Sequence, residues 1–306
     1  MSTPIVVIGS LNYDLVACAP RIPVVGETLV GERFFEEPGG KGANQAYAAA
    51  RLGGRVRMLG RVGDDIYGRR MRDNLAQAGC EVSGLLAIPQ CTSGIALIFV
   101  AETGANSIVI VPGANDRFLP GDIARQEPEL AGAGVALLQL ENPLPTVEAA
   151  ARAARRAGAR VVLDPAPAQP LPDSLLEQVD VLTPNETEAA ILDGRPPSRL
   201  APEDAAPIAR RLRQRGARAV VVKLGEQGCL LLEDGAPELL AAPAVQAVDT
   251  TAAGDVFNAA LAVGLSEGLD LAAACRFANR AAALSVTRYG AQACAPERLE
   301  VESFHR

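Results

Sequence analysis

Apolar positions in this chain follow two patterns. Short continuous runs rich in β-branched residues read as strands buried on both faces: IVVIGS near the start, GVALLQL (134–140), RVVLD (160–164), VDVLT (179–183) and AVVVKLG (219–225). Between several of them lie Ala/Arg-rich stretches with a helical period, such as TVEAAARAARRAG (146–158) and EDAAPIARRLRQRG (203–216). Strand and helix alternating in this way predict an α/β fold whose mostly parallel central sheet is covered by helices on both faces. The Pro-rich stretches DPAPAQPLP (164–172) and GRPPSRLAP (194–202) read as loops.

Two segments depart from that pattern. ETLVGERFFEE (27–37) and SGIALIFVAETGANSIVIV (93–111) read as antiparallel strands, the second as a hairpin about ETGAN. They predict a small β-sheet, built from insertions at about 14–37 and 91–111, on a single α/β domain spanning 1–306. Decoration, a lid over a cleft and a dimer surface are all open readings of it. After residue 249 come two consecutive Ala-rich helical patterns, AGDVFNAALAVGLSEG and LDLAAACRFANRAAALSVTRYG, interrupted by Gly264 and Gly268.

Composition narrows the chemistry. With 306 residues, 49% hydrophobic and 21% charged, the chain can bury a large core and is not a disordered polymer. A net charge of −7 and the absence of Trp disfavour nucleic acid as a partner, leaving small molecules. Six dispersed cysteines without a CxxC pair read as reduced and mostly buried. The start MSTPIVVIGS lacks a basic n-region, and no apolar run is long enough to span a bilayer, so a cytoplasmic location without membrane contact is expected. The single histidine, His305, sits next to the C-terminus, a poor place for a general base. Acid–base work therefore falls to carboxylates or lysine.

Four motifs could do that work. In DTTAAGDVF (249–257), small residues at Ala252, Ala253 and Gly254 would let a multiply charged group approach unpaired amides at a helix start. Asp255 would then lie in the first turn, placed to accept a hydroxyl proton. A plain helix cap by Asp249 or Asp255 is the competing reading. EEPGGKGANQAYAAARLGG (36–54) is not a Walker A loop, because Lys41 is followed by Gly42. A tight glycine turn with Lys41 and Asn44 at a helix start suits a polyol; a simple turn with an N-cap Asn fits it too. GSLNYDL (9–15) places Asn12 and Asp14 just past a strand end, where open parallel sheets gather ligands, or where an Asx turn would form. Glu141 and the pair Asn185 and Glu188 follow two further strands. The pair could hold a water-rich Mg²⁺ beside phosphates, or cap a helix.

Taken in order, GGKGANQA (39–46), GRVGDDIYG (60–68), TPNETEA (183–189), VKLGEQG (222–228) and DTTAAGDVFNAAL (249–261) resemble the landmarks of the ribokinase family of carbohydrate kinases. That family also contains phosphofructokinase-B-type enzymes and adenosine kinases, and the likeness covers essentially the whole chain. It implies a ribokinase-like three-layer sandwich with a β lid, and ATP-dependent phosphorylation of a sugar, with D-ribose at O5 as the leading acceptor. Asp255 would be the general base, and the amides of Ala252, Ala253, Gly254 and Asp255 the anion hole. Asn12, Asp14, Gly40, Lys41, Gly42, Ala43, Asn44 and Glu141 would hold the sugar with Asp255. ATP would lie along Asn185, Lys223, Leu224, Gly225, Glu226, Gln227 and Gly228, with Gly254 near its phosphates and Asn279 near the adenine. Asn185 and Glu188 would organise Mg²⁺ through water. A monovalent cation, K⁺, would sit among Asp249, Thr251, Ser285, Arg288, Gly290 and Cys294, largely on backbone carbonyls. The lid would join a homodimer.

Two departures from the family pattern stand out. Gly is commoner where Ala252 stands, and a methyl is tolerated there if the residue is helical. Cys294 replaces what is often Ser, a better ligand for a hard cation than a thiol. Other acceptors, namely 2-deoxyribose, fructose or a nucleoside, and a non-catalytic sugar sensor are the alternative functions. A phosphosugar is disfavoured because no extra Arg/Lys cluster accompanies the polyol residues. A nicotinamide dehydrogenase is disfavoured because GSLNYD stands where GxGxxG belongs.

Overall fold

The structure is a computed structural model that describes residues 2–304; His305 lies outside the described residues. Among the described residues, thirteen strands form two sheets. The larger contains β1 (Ile5–Ile8), β4 (Val56–Gly63), β5 (Leu85–Ile88), β8 (Val135–Leu138), β9 (Arg160–Leu163), β10 (Val181–Leu182), β11 (Ala219–Lys223), β12 (Cys229–Leu232) and β13 (Glu238–Leu240). Its order is β13-β12-β11-β10-β9-β8-β1-β4-β5. Every pairing from β11 to β5 is parallel, and β12 and β13 extend the sheet as an antiparallel edge.

The five runs read as strands form β1, β8, β9, β10 and β11. Their continuous hydrophobicity follows from burial on both faces. Val7, Leu137, Val162 and Val221 face one core with helices Lys41–Arg51, Ala253–Ser266 and Leu271–Ser285. Ile8, Leu138, Leu163 and Val222 face the other, covered by helices Leu144–Arg156, Glu186–Leu192 and Pro202–Gln214. Helix Ala253–Ser266 is wedged inside its layer, with Asp255 through Ser266 all buried, which explains why it is apolar all round. Gly264 does not interrupt it, and Gly268, with φ +88°, lies just beyond its end.

The smaller sheet has the order β3-β2-β6-β7, from β2 (Asn12–Ala19), β3 (Arg33–Gly39), β6 (Gly94–Ala101) and β7 (Asn106–Val111). The ETGAN hairpin joins β6 and β7 as expected. Three features differ from the sequence reading. Asn12 and Asp14 follow β1, as expected, but also belong to a further strand, β2; β2 pairs in parallel with β6; and residues 27–32 stay outside β3. The polar start of NYDLVACA hides a strand that pairs with β3 on one side and β6 on the other.

All six cysteines are free; Cys18 and Cys91 are half-buried and the others buried. Among the described residues, no helix is long and apolar enough to cross a membrane.

Candidate active site

The larger sheet reverses its winding at β1, since the chain moves first to β4 on one side and later to β8 on the other. Loops at the carboxyl ends of strands diverge there and leave a crevice. Glu141 follows β8, Asp164 follows β9, Asn185 follows β10 and Lys223 ends β11, so the strand ends deliver these groups along one edge.

The glycine turn closes against the segment after β1. Gly40 has φ +87°, and a Cβ on it would lie 2.6 Å from the Asn12 amide nitrogen. A Cβ on Gly42 would lie 2.6 Å from the Ser10 nitrogen. Only glycine lets the two backbones meet this closely. The Lys41 N–H donates to Glu141 Oε2 at 3.0 Å, and Ser10 Oγ donates to the same oxygen at 2.5 Å. Asn12 is oriented from behind: its Oδ1 accepts from Asn115 Nδ2 at 2.9 Å. Its own amide hydrogens are thereby left for a ligand. Gly42 and Ala43 are buried in the first turn of helix Lys41–Arg51. Asn44 also lies within that helix, not just before it as the sequence suggested.

At the other wall, helix Ala253–Ser266 begins after Ala252, whose φ of 56° and ψ of 10° are left-handed. The condition for tolerating the methyl, that residue 252 be helical, is not met: alanine occupies a conformation that suits glycine. The Ala253 N–H donates to Thr250 O at 3.3 Å, whereas those of Ala252, Gly254 and Asp255 have no partner among the described residues. Three of the four expected amides are thus free, and Ala253 is the exception. Ala252→Gly is expected to stabilise the fold by about 0.5–1 kcal/mol, part of the left-handed penalty being offset by a more flexible unfolded chain. A higher denaturation midpoint would bear this out, and a lower one would refute it.

Asp255 stands at the third position of that helix, 6% exposed. Asn44 Nδ2 donates to its Oδ2 at 3.0 Å, and Gln45 Nε2 to its Oδ1 at 3.0 Å. Asn44 is itself held by Gln292 Nε2, which donates to Asn44 Oδ1 at 3.2 Å. Burial pushes the Asp255 carboxyl up to about 6, with Asp164 adding to the rise, while Lys41, Asn44 and Gln45 pull the other way. Burial alone would lower the Lys41 ammonium, but Asp255, Glu141, Asp164 and Glu188 outweigh it and hold it above its ordinary range. Lys223 Nζ donates to Asp164 Oδ1 at 2.9 Å. Burial likewise opposes its charge, and Asp164, Glu188 and Asp255 sustain it. A Cβ on Gly254 would lie 3.3 Å from that Nζ, so the lysine stands at the helix start beside the free amides. Asp14, raised to about 7 by burial and by Glu37 and Glu141, lies against Gly39, where a Cβ would meet its Oδ2 at 2.4 Å.

The expected nucleotide residues are less uniform. Leu224 is buried and structural, while Gly225, Glu226 and Gln227 form an exposed turn. Gly228, at φ +95°, abuts Leu240 O, which a Cβ would approach at 2.1 Å. Asn279 Nδ2 donates to Leu240 O at 2.8 Å, so its amide ties down the end of β13.

Asn185 and Glu188 form a reciprocal capping box for helix Glu186–Leu192. Glu188 N donates to Asn185 Oδ1 and Asn185 N to Glu188 Oε2, both at 2.8 Å. The capping reading therefore holds for both residues, and Asn185 Nδ2 adds a third link by donating to Glu188 Oε1 at 2.9 Å. Burial raises the Glu188 carboxyl, against the pull of Lys223.

The six residues assigned to a monovalent cation are only partly convergent. Asp249 Oδ1 accepts from Thr251 N at 2.9 Å and its Oδ2 from Gly290 N at 3.1 Å, joining the two loops. Ser285 O accepts from Arg288 N at 3.1 Å, and the Arg288 guanidinium turns away to Glu300. Cys294 is pushed up to about 11, chiefly by burial, and its thiol donates to Ala291 O at 3.2 Å. A neutral thiol of this kind is not a donor for a hard cation.

Ser10, Gln45, Asn115, Gln139 and Asp164 were not recognised as site residues from the sequence. Asp164 was findable, since it ends the run RVVLD at the ligand-binding edge of a predicted strand. Nothing local marks the others, because their partners lie 94 to 131 positions away for Gln139–Gln45, Asn115–Leu11 and Ser10–Glu141.

Residues 2–298 match the family described as pfkB family carbohydrate kinase. The chain is 41% identical to the ribokinase of Haemophilus influenzae over 99% of both chains. It is 39% identical to the deoxyribokinase of Salmonella typhi, covering 98% of this chain and 97% of that protein. The structure of Arabidopsis thaliana ribokinase complexed with ribose and ATP superposes with a TM-score of 0.93 at 35% identity, covering 100% of each chain.

Proposed function

The chain belongs to the pfkB family of carbohydrate kinases, and we propose that it transfers the terminal phosphoryl group of ATP to O5 of D-ribose, giving D-ribose 5-phosphate. One observation carries the reading: a buried carboxylate, Asp255, held beside three unpaired helix-start amides and a lysine, opposite Asn12 and the glycine turn that presents Lys41 and Asn44. Asp255 takes the proton of the sugar hydroxyl as that oxygen attacks phosphorus. The N–H groups of Ala252, Gly254 and Asp255 and the Lys223 ammonium stabilise charge on the moving phosphoryl oxygens. Asn12, Asp14, Lys41, Asn44 and Glu141 orient the sugar. The turn at 225–228 and the Asn279 end of β13 border the adenine.

Among the described residues, no group of three or more His, Cys, Asp or Glu side chains could hold a metal. Mg²⁺ would be carried mainly by phosphates and water, with Asn185 and Glu188 as outer partners, and the ion would neutralise phosphate charge. K⁺, if used, would rest on the Asp249 region and backbone carbonyls, without the Cys294 sulfur. Assaying ADP release with Mg²⁺, K⁺ and ATP, against ribose, 2-deoxyribose, fructose and a nucleoside, tests the reading. Ribose should give the highest kcat/KM. Preference for 2-deoxyribose, the acceptor implied by one relative's name, would replace the substrate while keeping the chemistry.

We also propose that the smaller sheet acts as a lid and joins a homodimer. Phe34 is 66% exposed, and Phe99 and all six residues of β7 are exposed, an apolar face that a second copy would cover. Light scattering should give a dimer at micromolar concentration; monomer alone would refute the assignment.

A further inference from the structure

One buried amide touches both carboxylates of the reaction centre. Gln45, 0% exposed, donates from Nε2 to Asp255 Oδ1 at 3.0 Å and to Asp164 Oδ2 at 2.9 Å. Both hydrogens of one nitrogen are thus used, one on each acid. The orientation is chemically forced, since turning the amide over would set its oxygen against two carboxylates that can only accept. Gln139 supplies the other half: its Nε2 donates to Gln45 Oε1 at 2.6 Å. That leaves Gln139 Oε1 buried with no partner. The same oxygen lies where Gly9 has no Cβ; a Cβ there would approach it to 2.0 Å. A buried acceptor left unpaired is unfavourable, and it accompanies the Gln139 Nε2 donation that keeps the Gln45 oxygen engaged so that both Gln45 hydrogens face the acids.

We infer that Gln45, locked by Gln139, is a positioning residue that bridges Asp255 and Asp164 and fixes the rotamer in which Asp255 receives the acceptor's proton. The inference rests on the proposed kinase reading, with Asp255 as base. Asn44 pins one carboxylate oxygen and Gln45 the other, so the acid cannot rotate. Gln45 itself is sealed from the cleft and has no part in holding sugar or nucleotide. The charged and titratable groups around Asp255 are Lys41 from helix Lys41–Arg51, Asp164 after β9, Lys223 at the end of β11 and Cys294 from the 290–294 loop. Without the Gln45 amide, Asp164 repels Asp255 with one fewer hydrogen bond compensating.

The test is Gln45→Met, which keeps length and volume but removes both donors, with Gln139→Met as the milder companion. Two readouts are followed: the acidic limb of the kcat–pH profile, and titration of the Asp255 carboxyl carbon in protein labelled with ¹³C-aspartate. In Gln45→Met the limb and the titration should both move up by about one pH unit, with kcat at its plateau lowered about tenfold or more and KM within about threefold. Gln139→Met should move both the same way by less. A purely structural glutamine would lower the melting temperature and leave limb and titration in place, which would overturn the inference. The carboxyl titration needs no acceptor, so it answers even if ribose proves not to be the substrate. Conversely, an unmoved titration in a protein that does phosphorylate ribose removes the positioning role and leaves the function standing.

Discussion

Asp255→Asn is expected to lower turnover about 10³-fold while leaving the ribose dissociation constant within about threefold. The substitution keeps the shape of the side chain and removes its capacity to take a proton, and it also gives up one of the two hydrogen bonds from Asn44 and Gln45, since an amide offers one acceptor oxygen where the carboxylate offers two. The free amides at the helix start remain, so binding of nucleotide phosphates should survive. Wild-type turnover should fall about tenfold per pH unit below about 6, because burial raises the Asp255 carboxyl to about 6 and its protonated form cannot act as base. That limb should be absent from the residual activity of the variant. The same shift is a cost to the fold. With a folded value above the ordinary 3.8, the native chain binds the extra proton between the two values. Stability from this group is therefore greatest below pH 3.8 and declines as pH rises towards 6, the reverse of a paired carboxylate. Unchanged turnover in the variant would remove Asp255 from the chemistry.

Lys223→Met is expected to strike stability and catalysis together. Lys223 and Asp164 have side chains 12% and 3% exposed and meet at 2.9 Å. Removing the ammonium leaves Asp164 as a buried charge with Gln45 as its one remaining side-chain hydrogen-bond donor and Lys41 as its nearby cation, which should cost about 3 kcal/mol. It also removes the cation beside Gly254, where phosphoryl charge would collect, so turnover should fall about 10²-fold. The double variant Asp164→Leu/Lys223→Met separates the two effects. Replacing the whole pair by apolar groups should recover most of the stability and none of the turnover. Full activity in that double variant would show that the lysine serves the fold alone.

The parts of this molecule legible in its sequence are those written in contiguous residues. Doubly buried strands leave continuous apolar runs, and β8, β9 and β11 coincide with such runs because helices cover both faces. The GGKG turn was readable because its glycines answer to close backbone approaches, at Asn12 for Gly40 and Ser10 for Gly42. β2 escaped because its sequence, NYDLVACA, mixes polar and apolar residues and most of its positions are only partly buried, so no continuous apolar run announces a strand. Ala252 misled because side-chain identity does not reveal a left-handed backbone, and a small residue fits both a helix start and a strained cap. Asn185 and Glu188 were ambiguous for a different reason. The spacing that puts an amide and a carboxylate on one face is also the spacing of a capping box, and the geometry favours the box. The Gln139–Gln45–Asp164 chain was invisible locally, since a helix and two strand ends far apart in sequence build it and an isolated glutamine has no reason to attract notice.

A crystal structure with ribose and a non-hydrolysable ATP analogue reaches the centre of the account. It should place the sugar's O5 about 3 Å from an Asp255 carboxylate oxygen, with the terminal phosphate on the N–H groups of Ala252, Gly254 and Asp255. A sugar bound with O5 remote from Asp255, or a terminal phosphate held away from that helix start, would contradict it.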